Sequence, residues 1–123
     1  MSDENTKSAD QAAMECYEHI VDNAESDNFD ISEAVEKLKQ TDMSGQFLCS
    51  TARYLYAVND EKYHQWIAPL VESAIDRDRD RKYIGSLLQA LWGEDYKERS
   101  VELCESDNNF RRIYKRIFPT GTF

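Results

Sequence analysis

Only four glycines and two prolines punctuate these 123 residues, and that scarcity constrains the fold more than any motif does. A fold of many short strands needs frequent turns, and turns draw heavily on Gly and Pro. Apolar residues here recur instead at steps of three and four, the mark of helices joined by brief connections. The pattern predicts a single all-α domain of six or seven short helices. Two arrangements satisfy it, a compact orthogonal bundle or a short helical-hairpin (solenoid-like) stack. The domain is expected over 9–123, after a disordered acidic tail at 1–8.

Ser8 or Asp10 is positioned to cap a first helix running to about Ser26, with Ala13, Cys16, Ile20 and Ala24 among its apolar stripe. Asp30 followed by Glu33 resembles a capping box for a short second helix, in which Glu33 and Lys37 form a supporting pair. A third helix, about 46–58, is apolar around much of its circumference and is expected at the centre of the core. Asn59 or Asp60 caps a fourth, and Pro69 is expected to kink or split it near Ile67. Gly93 ends a fifth helix, 94–105 forms a weaker sixth, and an apolar stripe from Phe110 to Phe118 marks a seventh. A faint repeat at a shift of 33 aligns Glu61, Tyr63 and Leu70 with Glu94, Tyr96 and Leu103, and Glu25-Ser26-Asp27-Asn28 recurs at 105–108. Neither similarity meets a repeat consensus.

Charge is distributed unevenly. Residues 1–36 hold eleven acids against Lys7 alone, whereas the rest of the chain holds thirteen acids and fourteen bases. The excess behind the net charge of −9 therefore lies in the first third. Glu15, Glu18, Asp22 and Glu25 fall within roughly 80° of one another on a helical projection, a carboxylate ridge continued by Asp27 and Asp30. Like charges so spaced cost an isolated helix roughly 0.2–0.5 kcal/mol per pair.

Motifs for chemistry are weak. Asp76, Asp78 and Asp80 match the opening positions of a calcium loop, but Arg81 replaces its glycine and Leu87 its final glutamate. That stretch reads as a solvated, self-neutralised connector. Glu61-x-x-His64 has di-iron spacing without a second copy, and Cys16 with His19 is half a zinc site whose other half would have to come from Cys49, Cys104 or His64. Three wide-spaced cysteines form no disulfide framework, and no nucleophile elbow or phosphate loop is present. The C-terminal bases Arg111, Arg112, Lys115 and Arg116 are read as complementing acidic helices of the same domain. No apolar run reaches the ~18–20 residues of a membrane span.

These features lead to an expectation of a cytoplasmic, non-enzymatic module without metal or cofactor. It docks Glu15, Glu18, Asp22, Glu25, Asp27 and Asp30 onto a basic protein, such as one that binds nucleic acid, without binding nucleic acid itself. In its sharpest form it is a nucleic-acid mimic that occupies a partner's binding groove, by analogy of size and charge with anti-CRISPR and toxin-immunity proteins. The alternative is a helical scaffold that takes a peptide or helix in an apolar groove lined by Tyr54, Tyr56, Tyr63, Trp66 and Trp92.

Overall fold

The computed structural model describes residues 8–119, so all but Ser8 of the expected tail at 1–8 and the terminal residues 120–123 lie outside the described residues. Six helices follow one another with no strand among the described residues: α1 (Ala9–Asn23), α2 (Ile31–Thr41), α3 (Gln46–Arg77), α4 (Gly85–Trp92), α5 (Ser100–Ser106) and α6 (Asn108–Ile117). Ser8 caps α1 by accepting from the Gln11 N–H at 3.0 Å, and Asp30 caps α2 through the Glu33 N–H at 3.1 Å. The supporting pair on α2 is Glu36–Lys39 at 3.0 Å; Lys37 makes no ion pair among the described residues.

α3 consists of two helical limbs that meet at a break. Asn59 is extended (φ −168°, ψ 87°), and its Oδ1 accepts from the Lys62 N–H at 3.0 Å, capping the second limb. A straight helix of this length would hold its ends roughly 46 Å apart. Instead Arg77 donates to the Asp42 carbonyl at 2.6 Å, and a Cβ on Gly45 would meet the Asp78 Cβ at 3.1 Å. The limbs 46–58 and 60–77 therefore fold back on each other as an antiparallel hairpin.

Pro69 does not produce the expected kink. Asn59 is the position inside α3 with non-helical dihedrals, and Pro69 sits within the continuous second limb. The carbonyl that loses its donor belongs to the exposed Gln65, where water can take the donor's place.

α1 and α2 pack on α3, while α4 and α6 pack on it from the other half of the chain, with α5 held by α6. Leu48, Leu55, Leu70, Ile75, Ile84, Leu88 and Phe110 are fully buried along this axis. Two tyrosines fasten the hinge end: the Tyr54 and Tyr63 hydroxyls donate to the Val21 and Ala24 carbonyls at 3.3 and 3.0 Å. These acceptors lie at the α1 terminus, where carbonyls lose their helical partners.

The opposite end is organised by two buried carboxylates. Asp42 Oδ2 accepts from the N–H groups of Phe47 and Leu48 at 2.8 and 2.9 Å, and its Oδ1 accepts from those of Ser44 and Gly45. Asp78 Oδ2 accepts from Tyr83 and Ile84 at 2.6 and 2.8 Å, and its Oδ1 from Lys82 at 2.9 Å. Both thus bond the N–H groups five and six residues ahead, at the starts of α3 and α4. Asp78 is not part of a solvated connector, as its spacing with Asp76 and Asp80 suggested; only 3% of its surface is exposed. Its neighbours are also engaged: Arg77 holds the Asp42 carbonyl, and Asp76 pairs with Arg112 at 2.9 Å.

The similarity at a shift of 33 pairs unlike structures, because Glu61 and Tyr63 lie on a helix whereas Glu94 and Tyr96 lie in the turn before α5. The recurrence that the fold carries is Asp42 with Phe47-Leu48 and Asp78 with Tyr83-Ile84, a shift of 36. Replacing either aspartate with alanine strands several buried N–H groups. Each variant should lose about 2–4 kcal/mol in urea unfolding, whereas Asp80→Ala, on an exposed residue, should change stability by less than about 0.5 kcal/mol.

Candidate protein-docking surfaces

The six expected contact residues do not form one uniform surface. Glu18 and Asp22 lie on the exposed face of α1, and Glu25 and Asp27 are exposed in the turn that follows. None of these four makes an ion pair among the described residues. Asp30 is exposed but has a structural task as the α2 cap. Glu15 is half-buried and turns toward a groove of about 320 Å³ between α1 and α2, beside Cys16, His19 and Lys37.

The carboxylates near the hinge leave an electrostatic trace. Partial burial and then the Glu25 carboxylate, with a smaller contribution from Asp22, push the Tyr54 hydroxyl above its ordinary pKa. The ridge therefore runs from the middle of α1 to the end where α3 turns back.

The five aromatics of the alternative groove separate into two groups. Tyr54 and Tyr63 bond α1, and Trp66 Nε1 donates to Ser32 Oγ at 3.0 Å. All three fasten α3 to the first two helices. Tyr56 and Trp92 instead line a cleft of about 260 Å³ among the second limb of α3, the end of α4 and the start of α6. Ile67, Val71 and Leu91 supply its apolar walls.

The basic side chains of α6 divide similarly. Arg112 pairs with Asp76, and Arg116 donates to the Ile75 carbonyl at 2.6 Å. Arg111 and Lys115 are exposed. No helix among the described residues is long and apolar enough to cross a membrane.

No group of three or more His, Cys, Asp or Glu side chains converges on a metal position among the described residues. Cys16 and His19 face the α1–α2 groove, Cys49 is buried in α3, and Cys104 lies on α5. Burial, the Asp78 carboxylate and, more weakly, Asp42 push the Cys49 thiol up to about 12 against an opposing pull from Arg53. A thiol that stays protonated is a poor nucleophile.

An unfolded thiol titrates near 9.0 and Cys49 near 12, so between these values the folded state keeps a proton that the unfolded state releases. Cys49 should thus contribute stability that is lost as pH rises through that window. Disulfide-exchange labelling at pH 8 should modify Cys49 only after denaturant is added, a result mass spectrometry of the digested protein would reveal. Comparisons with protein families, with curated proteins and with solved structures find no match to this chain.

Proposed function

We propose that this chain is a non-enzymatic protein-binding module that docks its acidic α1 surface onto a basic patch of another protein. The observation that carries this reading is the exposed run Glu18, Asp22, Glu25 and Asp27, which makes no ion pair among the described residues. A helix face that needed only solubility would gain from interspersed bases, since neighbouring carboxylates repel one another. A cationic partner relieves that repulsion and is drawn to the surface by it. In its sharpest form the module is a decoy, presenting carboxylates where a nucleic-acid-binding partner expects phosphates.

A second reading, a helical scaffold that binds a peptide, is favoured by the Tyr56–Trp92 cleft. Salt separates the two. Affinity capture from host lysate should return a basic protein that high salt releases if the ridge leads the association, because exposed charges are screened within about 8–10 Å at physiological ionic strength. Retention through high salt would favour the cleft.

Charge reversal gives the direct test. Glu18→Lys with Asp22→Lys should slow association with the captured partner by about tenfold or more. The same variant should be as stable as the parent or more stable by up to about 1 kcal/mol, since two of the three like-charge pairs, 15/18 and 22/25, become opposite-charge pairs. Unchanged association in a stable double variant would rule out the ridge as the docking surface.

A further inference from the structure

We infer that the Tyr56–Trp92 cleft is an arginine anchor, taking the guanidinium of a side chain presented by a basic partner protein. The inference rests on the reading of a basic partner but uses a surface separate from the α1 ridge. Its starting point is the fixed orientation of the indole. Trp92 Nε1 donates to Asp107 Oδ2 at 3.0 Å, and the ring meets Phe110 edge-on at 5.2 Å between centroids. Asp107 is held in turn, its Oδ1 accepting from the Asn109 and Phe110 N–H groups at 3.0 and 3.2 Å. The indole is therefore set before any ligand arrives, and its cost of ordering has been met by the fold.

Charge then selects the ligand. Asp60 and Asp107 line the cleft, and no lysine or arginine does among the described residues. Asp107 is occupied with positioning Trp92, so Asp60 is the carboxylate that meets a cation. Its side chain is half exposed and only loosely engaged by His64, at 3.8 Å. A flat, weakly hydrated guanidinium stacks on aromatic faces while its N–H fork reaches a carboxylate, a combination that an ammonium matches poorly. Ile67, Val71 and Leu91 provide an apolar wall for the side-chain methylenes.

Position links the cleft to the ridge. Tyr56 and Asp60 flank the Asn59 hinge, and the hinge end is tied to Val21 and Ala24 of α1. Asp22 and Glu25 lie at that same end. The hinge thus lies between the two surfaces, and one basic partner spanning it can meet the ridge and insert an arginine into the cleft.

The experiment is a titration of ¹⁵N-labelled protein followed by its two tryptophan indole signals, assigned with Trp66→Phe. The probe is a Gly/Ser peptide with one central arginine, compared with peptides bearing citrulline, its neutral analogue, or lysine. The arginine peptide should move the Trp92 indole signal saturably, and the citrulline peptide should not. Asp60→Asn should weaken binding about three- to tenfold, with lysine weaker than arginine. The ridge variant Glu18→Lys with Asp22→Lys should titrate like the parent, so failure of the ridge reading leaves this result standing. The inference is overturned if Trp92 does not respond, if citrulline binds equally, or if Asp60→Asn binds as the parent does. Equal binding of lysine would overturn the choice of arginine.

Discussion

Asp42 and Asp78 place two carboxylates inside a helical protein, and among the described residues no lysine or arginine donates to either carboxylate. An uncompensated buried charge would cost several kcal/mol. Each carboxylate is compensated by backbone N–H groups at the start of the next helix, which carry partial positive charge and would otherwise be orphaned. The arrangement solves two problems together, since a buried helix start gains acceptors and a buried carboxylate gains donors. It also fixes where α3 and α4 begin. The two loops then pack back to back, and Gly45, at φ +89°, lets the first approach the Asp78 Cβ and the Ala74 carbonyl. A side chain at that position would meet both a disfavoured dihedral and occupied space.

The hinge end is built on another logic. Asn59 breaks α3 without glycine because its side chain caps the limb that follows, so the residue that ends one limb starts the next. Tyr54 and Tyr63 lie on opposite sides of that break and reach carbonyls three residues apart on α1 and its cap. The reversal of α3 is therefore read out directly on α1, and the first two helices cannot shift along α3 without losing both bonds.

These devices explain which parts of the structure were legible in the sequence. Helix positions followed from apolar spacing, and the caps at Ser8, Asp30 and Asn59 followed from residue type, because both signals are local. The roles of Asp42 and Asp78 were not legible from their immediate neighbours. Asp78 sits between Asp76 and Asp80 with arginines interleaved, a composition that suggests water. Its burial is decided by tertiary packing of the loop against Gly45. The recurrence at 36 residues, an aspartate followed five and six positions later by an aromatic and an aliphatic residue, was the available signal. Pro69 was misread for a related reason, since the propensity penalty of proline weighs little in a limb held along its whole length by core contacts. Of the expected contact residues, Glu15 was assigned to the ridge by helical projection, which cannot show that it faces a neighbouring helix. Asp30 was legible as a cap, and that role stands beside its expected place in the docking surface.

The acids of this chain thus fall into two populations that composition alone merges. Asp42, Asp78 and Asp107 accept backbone N–H groups and belong to the architecture, whereas Glu18, Asp22, Glu25 and Asp27 are exposed and make no ion pair among the described residues. Their separation is also spatial. Arg77 and Arg116 bind carbonyls at the loop end, near Asp42 and Ile75, while the unpaired acids of α1 gather toward the hinge. Arginines are thus engaged at the loop end, beside Asp42, Asp76 and Asp78, while bare carboxylates lie toward the hinge. On the proposed docking reading, a basic surface is drawn toward these bare carboxylates before it touches. On that reading, attraction by the long-range field and anchoring in the preset aromatic cleft are separable steps, the first sensitive to salt and the second to shape.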